Sequence, residues 1–385
     1  MPRTPSASRR PTLRPALRPG PQRRCARPQP QHRIAGVILA ARLTLLLGLP
    51  GSAAAMDPAF DDRDVMTVHY PDWFKQSFLD LPDDAAMAAD AGKQGLFIFF
   101  TTQGCSYCHL FIDASLGDPA IARRLREHFD ALGLEVFSDA ELTDFDGDAT
   151  RVKQFALDQG VQFTPTMIFY DTQGKPLVKL PGYYGPERFA RVLDYLVDGH
   201  HARVGLREYL AQTETDADGA AGWTLPDDPL FEPPPHALVR SAAMPAERPL
   251  LVLFEGGDCE RCPRFHDEVL GDADIRAKLD GFDIVRLDAG DTATPVLTPD
   301  GERTNPQHWY AALGFTQLPA LAFFATDGRR VLETDAVVLL GRMHNSIGFV
   351  AERAYERGWN YQRYARSQAM ARARAEDDGA SAQQQ

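Results

Sequence analysis

A repeat in fixed register constrains this chain more than any other feature. Two Cys-x-x-Cys pairs, Cys105/Cys108 and Cys259/Cys262, stand 154 residues apart. Sixty residues after each first cysteine comes a proline, Pro165 and Pro319, and each opens an apolar stretch. The apolar run 96–100 answers the run 250–254, and both read as buried strands. Asp118 answers Asp272; both read as helix caps, and Pro119 suits an early helical turn. Phe155 answers Trp309, and Gly160 answers Gly314, a helix-ending signal before the next strand. Gln173-Gly174 answers Asp327-Gly328, tight turns between strands. Matched turns in one register point to a duplicated domain rather than a chance motif.

The chain has 385 residues, 44% of them hydrophobic, enough for two domains with cores of their own. Residues 1–55 stand apart, with ten arginines and no acid. A Pro/Arg-rich opening leads to an apolar run over 34–49, broken by Arg42, and then to Gly51-Ser52-Ala53-Ala54-Ala55. That order reads as a basic presequence and export signal cut near Ala55. The uninterrupted apolar part is far short of the ~20 residues of a membrane span. Arg9-Arg10 is only a weak hint of twin-arginine export, since it lies far from the apolar core.

Cleavage there removes Cys25 and leaves four cysteines, all in the two pairs. It also moves the formal charge from −12 to −22. Such a surface argues against nucleic acid or an anionic membrane as partner. Export places the cysteines where disulfides persist. Cysteines three apart close almost no loop, so they stabilise little as staples and suit a reversible redox switch.

The domains are expected at 57–212 and 236–368, with a linker over 213–235 that is rich in acid, Gly and Pro. Residues 345–376 read as helical, and 369–385 as the end of that helix followed by a disordered tail. Within the first domain the order is a helix near 84–91, a strand at 96–100, and a helix after Cys108 broken near Gly117. Strand, helix and the proline-led strand follow, then a hairpin partner at 177–180 and a closing helix at 186–196. This alternation is α/β.

A dithiol after one strand, and a proline before a later one, resemble the thioredoxin-like domains. The first half is similar to periplasmic thioredoxin-related proteins of the SoxW type. That likeness rests on Cys105-Ser106-Tyr107-Cys108, on Leu142-Thr143-Asp144-Phe145-Asp146-Gly147, on the segment 161–170 and on Leu180-Pro181-Gly182-Tyr183-Tyr184. It covers about 72–210; the second half matches more loosely over about 248–367. The resemblance implies two tandem α/β domains, each a central mixed sheet flanked by helices. It implies an exported, periplasmic thiol–disulfide oxidoreductase, most simply a reductase in a sulfur-metabolism or cytochrome-maturation setting. Its partners would be protein disulfides and, as electron source, a membrane thiol transporter. No cofactor and no metal are expected, and no stable membrane insertion of the mature chain.

In that fold the first cysteine of each pair opens a helix, where free N–H groups and the macrodipole lower its pKa. Cys105 and Cys259 are therefore the expected nucleophiles, and Cys108 and Cys262 the resolving thiols. Ser106 and Tyr107 are expected to tune the first pair and meet substrate. Glu260 opposes the second thiolate and Arg261 favours it; His109 is either a nearby positive charge or a solvated helix residue. Pro165 and Pro319 are expected to be cis, with Thr164 and Leu318 offering backbone groups to a substrate strand.

The chain also departs from the family. Gly104 and Asp258 stand where thioredoxin has Trp, and Phe99 and Leu253 where it has a buried acid. Three other chemistries compete. Zinc or copper binding by four cysteines is disfavoured, because the pairs are 151 positions apart and each sits inside its own repeat. A disulfide isomerase would use both dithiols on one client. A binding or chaperone module would keep the scaffold with one or both dithiols vestigial.

Overall fold

The computed structural model describes residues 60–214, 224–257 and 259–383. The presequence at 1–55 and residues 215–223 of the linker lie outside these residues. In the first domain the strand Gly95–Thr101 is central. It pairs in parallel with Phe129–Glu135 and antiparallel with Thr166–Asp171, which pairs antiparallel with Pro176–Pro181. The second domain repeats this order. Leu250–Glu255 lies between Asp283–Asp288, parallel, and Ala320–Phe324, antiparallel, with Arg330–Thr334 at the edge.

Burial on both faces explains the unbroken apolar runs 96–100 and 250–254 of the central strands. Phe97 and Phe99 face one layer, with Phe111, Phe169 and Phe189. Leu96, Ile98 and Phe100 face the other, with Phe155 and Tyr170. In the second domain Leu251 and Leu253 point one way, and Leu250, Val252 and Phe254 the other. Each central strand is thus covered on both faces.

The expected local signals take physical form. Asp118 accepts hydrogen bonds from Ala120 N and Ile121 N, and Asp272 does the same for Asp274 N and Ile275 N. Gly160, Gly174, Gly314 and Gly328 all adopt positive φ at the ends of helices or in hairpin turns. After each cysteine pair the helix widens into one π-turn, at Phe111–Leu116 and at Phe265–Leu270, before the Asp cap restarts it.

Two expectations need correcting. The helical stretch near the C-terminus is two helices, Leu340–Ala351 and Tyr361–Gln383, parted where Arg353 and Gly358 take left-handed backbone. The expected disordered tail is also helical as far as Gln383, consistent with the helix propensity of its Ala, Arg, Glu and Gln residues. Among the described residues no helix is long and apolar enough to cross a membrane.

The two repeats pack against each other. Gly182 and Ala336, equivalent positions of the two copies, meet there: a Cβ built on Gly182 would lie 2.2 Å from that of Ala336. Arg188 and Arg342 are likewise equivalent. Arg342 Nη2 donates to Thr164 O at 3.0 Å, and Arg188 Nη2 donates to Thr316 O at 3.1 Å. The cores interlock as well. Leu339 packs into the first domain's core, and Phe163 into the second's, 4.4 Å from the Tyr361 ring.

Candidate functional site

Cys105 ends a short extended segment and caps the helix Ser106–Leu110. Its Sγ accepts the Cys108 N–H at 3.1 Å, so the helix start is aimed at the first sulfur. In the reduced protein the same N–H and the helix dipole favour thiolate at that atom. Cys105 and Cys108 form a disulfide, and so do Cys259 and Cys262. Within each pair the first cysteine is the more exposed, 9% against 0% in the first domain and 3% against 0% in the second. His109 Nδ1 faces Asp113 at 3.1 Å, one turn along its helix.

The Thr164–Pro165 and Leu318–Pro319 peptide bonds are both cis. Their carbonyls, expected to be open to a substrate, are engaged within the chain. Thr164 O accepts from Arg342, and Leu318 O accepts from Arg261 Nε at 2.8 Å. Ser106 and Tyr107, also expected at the substrate face, are buried beneath residues 60–66. Ser106 Oγ donates to Asp64 O at 2.6 Å, and Tyr107 Oη donates to Asp62 Oδ2 at 3.0 Å.

The second pair departs from expectation in one respect: Cys259 does not open a helix. The helix there begins at Cys262, with Arg261 as cap and Pro263 in the first turn. The Cys262 N–H goes to Cys259 O at 3.3 Å, in a turn, and not to the sulfur. Arg261 is pulled aside from Cys259. It is half-buried, bonded to Leu318 O and, at 3.4 Å, to Asp335 O, and loss of solvent around its guanidinium pushes its pKa down to about 10. It fastens the cysteine turn to the proline loop. Asp335 braces that loop by accepting from Thr316 N at 2.7 Å and Gln317 N at 3.2 Å, and burial raises its carboxyl pKa.

Sequence reasoning missed Asp62, Arg342 and one buried pair. Glu255, the last residue of its strand, is fully buried. Its Oε1 lies 2.8 Å from His266 Nε2, while Oε2 has no hydrogen-bond partner among the described residues. His266 follows Cys262 by four residues on one continuous helical run, and Glu255 precedes Cys259 by four, so the pair brackets the second dithiol along the chain. The spacing Glu-x3-Cys-x2-Cys-x3-His was the available signal. Removing one partner of a buried pair strands the other. His266→Ala should therefore lower stability by about 3 kcal/mol, read as a shifted denaturant midpoint with unchanged slope.

The family model for the thioredoxin-like domain matches residues 81–197 and 239–337. No curated protein matches the chain significantly. Among solved structures, a thioredoxin-fold protein from Helicobacter pylori is 25% identical, covering 37% of this chain and 92% of its own, with a TM-score of 0.30. A thioredoxin from Thermus thermophilus is 23% identical, covering 33% and 95%, with a TM-score of 0.25. A disulphide isomerase from Xylella fastidiosa Temecula1 is 13% identical, covering 40% and 100%, with a TM-score of 0.21. With its family model matched twice, over more than half its length, the chain belongs to the thioredoxin-like family as a tandem of two such domains.

Proposed function

We propose that this thiol–disulfide oxidoreductase is an exported reductase of protein disulfides, with Cys105 as its entry point. One observation carries the reading: in the first pair the helix start is aimed at the more exposed sulfur, and its partner is wholly enclosed. In the reduced protein Cys105 attacks a client sulfur and releases the client's other sulfur as thiolate. Cys108 then attacks Cys105, frees the client thiol and closes the pair. A membrane thiol transporter would return two electrons to the oxidised pair. The basic and apolar opening of the sequence supports delivery to the periplasm, and the SoxW-type likeness supports sulfur-metabolism or cytochrome-maturation clients.

The second domain is read as a relay or docking module, because Arg261 holds Leu318 O and Cys259 lacks the N–H that Cys105 receives. The reduction potentials of two single-pair variants test the direction of electron flow. The Cys105/Cys108 couple is expected near the roughly −270 mV of thioredoxin. A value near the roughly −120 mV of strong oxidants would overturn the reductase reading in favour of oxidation or isomerisation.

A further inference from the structure

Residues 60–66 lie over the first dithiol as a turn at 61–64, closed by Asp64 N donating to Asp61 O at 3.3 Å, that leads into the two-residue strand Val65–Met66. Val65 and Met66 pair antiparallel with Cys105 and Gly104, in the register Val65 opposite Cys105. Asp62, three residues earlier, bonds across to the second domain and to the first site. Its Oδ1 accepts from Gly341 N at 2.8 Å, and its Oδ2 accepts from Arg342 N at 2.8 Å and from Tyr107 Oη. The carboxylate therefore sits at the start of the helix Leu340–Ala351, against the ring of the first active site. The Tyr107 ring is covered on one side by Phe60, at 5.1 Å, and by the Arg342 guanidinium at 3.9 Å. Leu339 N closes the ring of bonds by donating to Tyr107 Oη at 3.3 Å. Gly341 is required at this seat, since a Cβ there would stand 2.9 Å from Asp62 Oδ1. The groove is thus formed by both domains and is already filled by an acidic segment of the same chain.

We propose that this groove is the client-binding site of the Cys105/Cys108 dithiol, that it takes a segment bearing an acidic residue three positions before the client's cystine half, the two joined by a turn, and that residues 60–66 occupy it as a pseudosubstrate. This rests on the function proposed above and names its substrate class. The resident segment gives the spacing: a client in the same place sets its cysteine where Val65 lies, opposite Cys105, and its carboxylate where Asp62 lies. Val65 is 70% exposed and carries no sulfur, so the resident segment blocks the groove without reacting. Clients bind by displacing it, and removing its carboxylate opens the site.

The test uses the full chain, pre-reduced, in single turnover. The probe is a peptide of residues 60–68 with cysteine in place of Val65, carried as a mixed disulfide with glutathione. Cys105 attacks the peptide sulfur and expels glutathione thiolate; Cys108 then releases the peptide thiol as the pair oxidises. Asp62→Ala should reduce this probe roughly tenfold faster than the unsubstituted chain, as loss of a charge-assisted anchor predicts. In the Asp62→Ala chain, a probe with asparagine at the Asp62 position should react several-fold more slowly than the acidic one. Val65→Pro, which disrupts the covering strand and leaves Asp62 in place, serves as the second variant, with circular dichroism to check folding. Equal rates for the two probes would overturn the acidic specificity. Unchanged probe reduction and unchanged Cys105 alkylation in both variants would overturn the pseudosubstrate. If alkylation speeds up but no chain reduces any probe, the covering segment stands and the reductase reading falls.

Discussion

Cys105→Ala should abolish disulfide reduction, leaving less than about 1% of the unsubstituted rate, because Cys105 carries the covalent intermediate with the client. The geometry makes this specific to one of four cysteines. Cys108 and Cys262 are fully enclosed, and Cys259 sits in a turn whose N–H points to an oxygen. Cys108→Ala should also stop turnover, but for a different reason. The mixed disulfide on Cys105 would form and then have no thiol to resolve it. Cys259→Ala should keep more than about half the single-turnover rate of a pre-reduced chain, since it removes only a relay. The assay is turbidity of a test protein disulfide, or the probe described above. A Cys105→Ala chain that still reduces its client would move the chemistry to the second domain.

The second large effect concerns the seam between the repeats. Gly182 combines a φ of +83° with a position where a Cβ would overlap that of Ala336. A side chain there costs about 1–2 kcal/mol for left-handed backbone and about 1–3 kcal/mol for overpacking. Gly182→Ala should thus destabilise the chain by about 3 kcal/mol. A double-mutant cycle separates the two parts. Ala336→Gly in the same chain should recover the overlap and leave the backbone cost. Full additivity of the two substitutions would mean that the repeats do not meet at this point. The seam bears on function, because Arg342 reaches the first site across it.

Much of the fold was legible in the sequence because it is local. Asp118 and Asp272 cap helices through atoms two and three residues away, and Gly160 and Gly314 end them. The strands declare themselves by unbroken apolar runs that alternate between two layers. The cysteine pairs and the prolines sixty residues on were legible for the same reason, as fixed spacings in a duplicated unit. Contacts between the repeats left no such trace. Arg342 reads as an ordinary helix residue until the second domain is placed against the first. Asp62 reads as one acid among Asp61-Asp62-Arg63-Asp64, and its role depends on Gly341 and Tyr107, far away in the chain. The same competition explains Cys259. Arg261 is drawn to Leu318 O, a non-local acceptor, so the helix there starts two residues later than the repeat alone implies.

The most direct measurement of the central claim is the identity of the sulfur that holds a client. A Cys108→Ser chain, reduced and mixed with a protein disulfide, should accumulate one covalent complex, and peptide mapping should find the client on Cys105. A client mapped to Cys259, or no complex at all from a folded chain, would contradict the account.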